Sequence, residues 1–301
     1  MTFDIHNTPE LYIMKAFANS PNGGNAAGVV LYADRIPRDR KQKIAATLGL
    51  SETAFVSASE LGDVKVEFFT PVRQIPHCGH ATVATFSLLW QKGLLPNGSA
   101  IKESIEGTRQ ISFENNKVYQ AQLAPSYTSL AEAGVEPGEV ALALGLPADF
   151  IFEHMPVVAS TGVAFLLVQV QDIPTVGGLQ PSQEQIKSIS ERLGLVGFYV
   201  FTIAIAGADA TTRMFAPSYG IAEESATGMA AGPLACYLHD FLKIDKADFL
   251  IHQGYLMDHP SPSQIEVQLE LDEQGAITGL RAGGAGIIVK QLELGEFRVY
   301  A

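Results

Sequence analysis

Apolar and polar positions alternate over short runs through most of the chain, and two longer stretches break that rhythm. Tyr12, Met14 and Ala16 alternate with Ile13, Lys15 and Phe17, which predicts a first strand over 11–17. Pro21-Asn22-Gly23-Gly24-Asn25 then leads to a second strand over 28–32, so it reads as a hairpin turn. Pro37 can open a helix whose apolar face carries Ile44, Ala45, Ala46 and Leu48, and Gly49 is its natural stop. The run Ser51-Glu52-Thr53-Ala54-Phe55-Val56 follows, and 64–70 alternates as a strand that Pro71 ends. Short strands are expected over 101–104, 111–113 and 117–122. From 125 to 149 the pattern is that of a connector, with a helical turn or two around 139–144. A helix opens at a capping box, Ser182 with Gln185, and stops at Gly194. Further strands are expected over 155–160, 163–170, 200–205, 211–215, 249–252, 264–271, 277–282 and 286–292, with a last one near 297–300.

The two exceptions are apolar nearly all round. One helix is expected over 80–92, with Ala81, Val83, Ala84, Phe86, Leu88, Leu89 and Trp90, and Gly93 as its stop. The other is expected over 228–242 and is equally rich in alanine. Such helices are buried rather than laid on a surface. Each follows a polar loop and a glycine, Gly79 or Gly228. Their surroundings match as well. Ile44…Leu48-Gly49-Leu50 parallels Ile189…Leu193-Gly194-Leu195, and Phe69-Thr70-Pro71 parallels Phe215-Ala216-Pro217. The chain therefore reads as an internal repeat, a sheet rolled around one buried helix and built twice. A small-molecule site is expected between the copies. The copies differ in one telling place. The first has Ser51-Glu52-Thr53 where the second has Val196-Gly197-Phe198, so only one carries a carboxylate.

Composition narrows the function classes. The chain has 301 residues, 47% hydrophobic and 17% charged, with a net charge of −12. This fits a globular enzyme with a large core. It supplies no basic stripe for nucleic acid or an anionic membrane, while leaving room for a small anionic ligand. No run is long and apolar enough to span a bilayer, and residues 1–6 lack the features of a signal peptide. The expected location is the cytoplasm. Cys78 and Cys236 are too few for a disulfide framework and lack metal-ligand spacing. There is no phosphate loop, dinucleotide fingerprint, His/Cys metal cluster or nucleophile elbow, so neither metal nor cofactor is expected. What is left is proton transfer on a small substrate.

The candidate chemistry gathers at the two helix starts. Unpaired amides and the macrodipole suit them to a carboxylate or a developing enolate. Glu52 is the candidate general base, and burial is expected to raise its pKa toward a useful range. Alternatively it is an exposed glutamate or a cap partner for Ser51. His80, in the first helical turn, is expected to be a neutral donor, or else a structural histidine. Cys78 is a candidate thiolate at a helix start. It has no matched partner, because Cys236 falls on the core side of the second helix, and that disfavours a two-thiol racemase. Of the two acids before the second helix, Glu223 reads as a charge placed favourably near a helix start. Glu224 is the one kept for the site.

These stretches together resemble the phenazine-biosynthesis (PhzF-like) family, which shares the diaminopimelate epimerase fold. The matching pieces are Gly24-Asn25-Ala26-Ala27-Gly28, Leu50-Ser51-Glu52-Thr53-Ala54-Phe55, Cys78-Gly79-His80-Ala81-Thr82, Arg213-Met214-Phe215-Ala216-Pro217 and Gly220 to Gly228. The resemblance implies an α+β fold of two pseudo-symmetric domains, each a rolled, mostly antiparallel β-barrel around a central helix. It implies a first domain over 1–122, completed by about 286–301, and a second over 123–285, with the active site in the cleft between them. It places the catalytic glutamate on Glu52, the active-site glycine–histidine pair on Gly79 and His80, and the acid before the second helix on Glu224, where aspartate is usual. The usual serine after the second glycine is Met229, and Thr227 stands where an epimerase would carry its second thiol. The candidate catalytic residues are thus Glu52, His80 and Glu224. Asn25, Ser51, Cys78, Gly79, Thr227, Gly228 and Met229 are the candidate substrate-binding residues. The expected function is a cofactor-independent isomerase that moves a proton on a small carboxylate. A non-catalytic binding protein and a true epimerase are the alternatives, and a homodimer is one assembly open to it.

Overall fold

The computed structural model describes residues 7–95, 98–203 and 207–294. In chain order the first elements are β1 (Glu10–Ala16), β2 (Asn25–Leu31), α1 (Arg38–Leu48), β3 (Glu52–Ser57), β4 (Val64–Phe69), β5 (Gln74–Ile75), α2 (Gly79–Gln91), β6 (Ser99–Ser104), β7 (Gly107–Glu114) and β8 (Lys117–Leu123). Then come β9 (Ser126–Ser129), α3 (Leu130–Ala133), α4 (Pro137–Ala143), β10 (Val157–Ser160), β11 (Ala164–Gln169), α5 (Ile173–Gly178), α6 (Gln183–Leu193), β12 (Gly197–Thr202) and β13 (Ala210–Ala216). The chain ends with β14 (Ile221–Glu224), α7 (Gly228–Asp240), β15 (Asp248–Gln253), β16 (Ser263–Leu271) and β17 (Ile277–Leu292). It divides into two compact units, one running to Ala121 and resuming at Gly283, the other covering Gln122–Ala282.

In the first unit the strand pairings run β17–β1–β2–β3–β4–β6–β7–β8 and close through β8–β17. Two pairs, β2–β3 and β4–β6, are parallel, because the chain crosses over through α1 or α2 to make them. Helix α2 fills the ring. Ten of its residues, His80 to Leu89, are buried, and it packs on β1, β2 and β3. The fit is close at Gly286 of β17, where a Cβ would stand 2.4 Å from Ser87 Oγ. A separate core layer holds α1 to the sheet through Leu11, Val30, Ile44, Ala45, Phe55 and Phe69.

The second unit repeats the same grammar. Its pairings run β9–β10–β11–β12–β13–β15–β16, with β11–β12 and β13–β15 parallel and the others antiparallel. A turn at Asp272–Ala276 leads β16 into β17. Helix α7 packs on β10, β11 and β16, and α6 lies over a core of Leu166, Val168, Ile186, Ile189, Phe198 and Phe215. The fold is therefore α+β, and its two domains are pseudo-symmetric barrels around a central helix.

Several local expectations are corrected. The connector contains a strand, β9, which pairs with β10; Ser126, Thr128 and Ser129 hide it behind polar side chains. The two strands expected over 277–282 and 286–292 are one, β17, because its glycines stay extended. On α1 the buried positions are Lys41, Ile44 and Ala45, whereas Ala46 faces solvent; Lys41 is tolerated there because Glu67 pairs with it. Ser182 caps α6 through the Gln185 amide. The strand expected near 297–300 and the reading of residues 1–6 lie outside the described residues, as does the end of the strand expected over 200–205. No helix among the described residues is long and apolar enough to cross a membrane.

Candidate active site

The start of α2 collects the first set of candidates. Glu52 is the first residue of β3, delivered there by the Gly49 stop of α1, and it is 7% exposed. Its register partner on β2 is Ala27, two residues along from buried Asn25. Gly24 makes that approach possible. Its φ is +81°, and a Cβ there would stand 2.6 Å from the Ala16 carbonyl oxygen. Cys78 caps α2 in extended conformation, and Gly79 and His80 are its first two residues. His80 Nε2 lies 3.1 Å from Glu52 Oε2 and 3.4 Å from Ser51 Oγ, while Nδ1 lies 3.5 Å from Cys78 Sγ. Nε2 thus stands toward the carboxylate and Nδ1 toward the thiol.

Protonation states follow. Burial by itself pushes the Glu52 carboxyl up, as expected from its position. The hydrogen bond and charge of His80, with hydrogen bonds from Ser51 and Cys78, outweigh it and bring the carboxyl below its ordinary value. The expectation of a raised pKa is thus reversed, and Glu52 is a carboxylate at neutral pH. The expected thiolate is also corrected. Burial pushes the Cys78 thiol up and the Glu52 charge adds to this, against opposing effects of His80 and a backbone hydrogen bond. Ligand atoms of Glu52, Cys78 and His80 all lie within 4.8 Å of one another. That span would also admit a cation, a possibility hidden from sequence spacing because β3 supplies one member.

In the second unit Thr227 precedes α7, and Gly228 and Met229 open it. The Thr227 hydroxyl donates to Glu224 Oε2. Gln253, wholly buried at the end of β15, ties this turn down. Its Oε1 accepts from the Thr227 amide at 3.0 Å and from the Tyr199 hydroxyl at 2.9 Å. Its Nε2 donates to the Glu224 carbonyl at 2.7 Å. Gln122 Nε2 donates to the Gly228 carbonyl at 3.0 Å. Glu223 is not a helix-start charge. It forms a two-pronged ion pair with buried Arg213, whose Nε and Nη2 donate at 2.8 and 2.7 Å. Cys236 is fully buried inside α7, its thiol pushed up to about 12 by burial. Sequence reading missed Gln253 and Tyr199, since buried amides and phenols carry no motif. It missed the role of Arg213 too, although an arginine inside an apolar strand was a visible signal.

A family model described as "phenazine biosynthesis-like protein" matches residues 14–291. The chain belongs to that family. The protein named uncharacterized isomerase YddE of Escherichia coli O157:H7 is 31% identical, covering 95% of this chain and 98% of its own length. The trans-2,3-dihydro-3-hydroxyanthranilate isomerase of Pseudomonas chlororaphis is 30% identical over 91% of this chain and 95% of its own. Among solved structures, a PhzF-family phenazine biosynthesis protein of Bacillus anthracis superposes with a TM-score of 0.85 at 26% identity, covering 95% of this chain and 99% of that one. A hydroxyproline epimerase of Agrobacterium vitis shares the fold alone, at a TM-score of 0.56 and 12% identity. The chain is an enzyme of the isomerase class.

Proposed function

We propose that the protein is a cofactor-independent isomerase that moves a proton on a small carboxylate substrate, with Glu52 as the shuttling base. The observation that carries this reading is the buried Glu52 carboxylate held 3.1 Å from His80 Nε2 at the start of a helix. The carboxylate removes a proton next to an activating group and returns it elsewhere on the same face. His80 and the N-terminal end of α2 hold the negative charge that develops. Ser51, Gly79 and Asn25 border that position. In the other unit, Glu224 and Met229 are proposed to decide which substrate is accepted, because both depart from the residues usual in the family.

The test uses the compound named for the Pseudomonas relative. Trans-2,3-dihydro-3-hydroxyanthranilate, or a panel of small cyclic and amino-acid carboxylates, is incubated in deuterated buffer and analysed by mass spectrometry. Wild type should incorporate deuterium and Glu52→Gln should not. Equal uptake by the two would remove Glu52 from the mechanism. Cys78, in contact with His80 Nδ1, favours one second reading: an epimerase in which the thiol supplies the opposite-face proton. Inverted product stereochemistry would select it.

A further inference from the structure

Lys102, on β6, is completely buried. Among the described residues it has no carboxylate partner. Its Nζ instead donates to His77 Nδ1 and to Thr82 Oγ1, each at 3.3 Å, and lies 5.4 Å from the centre of the Phe68 ring. Thr82 passes the contact on, since its hydroxyl donates to the Cys78 carbonyl at 2.7 Å. His77 directly precedes Cys78, and burial together with the Lys102 and Arg109 charges lowers its pKa to about 3. It is therefore neutral and accepts from Lys102. The Gln120 amide lies 3.3 Å from His77 Nε2, and its Oε1 has no partner among the described residues. Turning the Gln120 amide over lets its oxygen accept the Nε2 proton of a His77 whose Nδ1 accepts from Lys102.

This is an expensive arrangement for a fold to keep. Burying an ammonium without a counter-ion is unfavourable. Burial lowers the Lys102 pKa to about 8, with the Arg109 charge adding to the effect and the charges of Glu106 and Cys78 opposing it. Arg109 is also its register partner on β7, a like charge directly across the sheet. Elsewhere in the same unit a buried lysine is paired conventionally, Lys41 with Glu67.

The repeat shows what the fold needs at this place. Lys102 pairs with Val64 where β6 runs parallel to β4. In the second unit β15 runs parallel to β13 in the same way, and Ile251 pairs with Ala210. Phe69 and Phe215 align the two strands, so Val64 corresponds to Ala210 and Lys102 to Ile251. Laying Gly79 on Gly228 makes His77 correspond to Ala226 and Thr82 to Ala231. All three counterparts are wholly buried and apolar. The barrel therefore closes around apolar residues here, and the polar cluster occurs only in the copy that carries Glu52 and His80.

We propose that Lys102 is a positioning residue of the active site: through Thr82 and His77 it fixes Cys78, Gly79 and His80 at the start of α2 and keeps a positive charge beside them. The proposal rests on the isomerase reading for its effect on turnover, but not for its effect on Cys78.

The test compares Lys102→Met with its parent in a Cys236→Ala background, where Cys78 is the sole cysteine. Iodoacetamide is the probe, with alkylation of Cys78 followed by mass spectrometry at neutral pH and unfolding followed by thermal melting. Loss of the charge should slow alkylation by about threefold to tenfold, because the thiolate loses a favourable neighbour. The melting temperature should hold or rise, as apolar Ile251 leads one to expect. Thr82→Ala, which copies Ala231 and keeps the charge, should slow alkylation less. It decides the matter if Lys102→Met fails to fold. Faster alkylation with a lower melting temperature would show that Lys102 only packs the barrel, and an unchanged rate would equally overturn the proposal. In the deuterium assay Lys102→Met should lower kcat about tenfold at unchanged KM. Wild type that takes up no deuterium would sink the isomerase reading while leaving the alkylation result to stand or fall alone.

Discussion

The two central helices begin with the same backbone device and different cargo. Each has an extended or irregular cap, then a glycine, then a wall of small apolar residues. Around the start of α2 stand Glu52, Cys78, His80, His77 and Lys102, all able to titrate or carry charge. Around the start of α7 the anchoring groups are the amides of Gln253 and Gln122 and the hydroxyls of Tyr199 and Thr227. Duplication thus supplied two equivalent helix starts. One became electrically loaded, and the other was fastened by hydrogen bonds that hold Glu224 in a defined turn. Proton-transfer chemistry should follow the loaded copy, and conformational stability should follow the fastened one.

The comparison breaks most visibly at Glu52. Glu52→Gln keeps the shape and removes the proton acceptor, so deuterium uptake should fall by about 10²–10⁴-fold. The melting temperature should stay close to that of wild type. The fastened copy should respond the other way. Arg213→Met strands Glu223 and removes the donor that also reaches the carbonyls of Val176, Gly177 and Leu179. Because Glu223 keeps some contact with water, the loss should lie near the low end for a broken buried pair, about 3 kcal/mol in denaturant unfolding. A loss below 1 kcal/mol, on the order of an exposed pair, would show that the turn is not held from this side. Gln253→Leu should cost about 1–3 kcal/mol, since it leaves the Tyr199 hydroxyl and the Thr227 amide buried without their acceptor.

How much of this could be read from the chain depended on whether a residue's neighbours were near in sequence. Gly79, Gly228 and the Ala-rich helices were legible because apolarity all round is a local property. So was the repeat, because Leu-Gly-Leu and the strand-ending prolines recur in order. Glu52 and His80 were legible as candidates, whereas the sign of the Glu52 shift was not. That sign depends on a 3.1 Å contact between a strand and a helix, which sequence distance conceals. Strand β9 was hidden because its polar side chains break the alternation that marks a strand. Lys102 was the deepest omission. A lysine in a short alternating strand reads as the solvent face, and only its register opposite Val64 and its contacts with His77 and Thr82 show otherwise.

The smallest effect sharpens the comparison through pH. The folded-state pKa of Glu52 lies below its ordinary value of 4.5. A carboxyl with a depressed pKa contributes stability that is fully present above the unfolded value and is lost as pH falls through the folded one. The contribution of Glu52 should thus hold through neutral pH, start to shrink near 4.5 and disappear in stronger acid. Glu52→Gln has no such proton to bind. The gap in melting temperature between wild type and Glu52→Gln should therefore be constant from neutral pH down to mild acid and drift steadily in the destabilising direction for wild type below it. Gln253 and Thr227 bind no proton in this window, and burial moves Tyr199 further above its ordinary value. The gap between wild type and Gln253→Leu should accordingly stay level across the same range. A level Glu52 gap would mean that the His80 contact does not stabilise the carboxylate, and the helix start of the first unit would then be no more electrically loaded than that of the second.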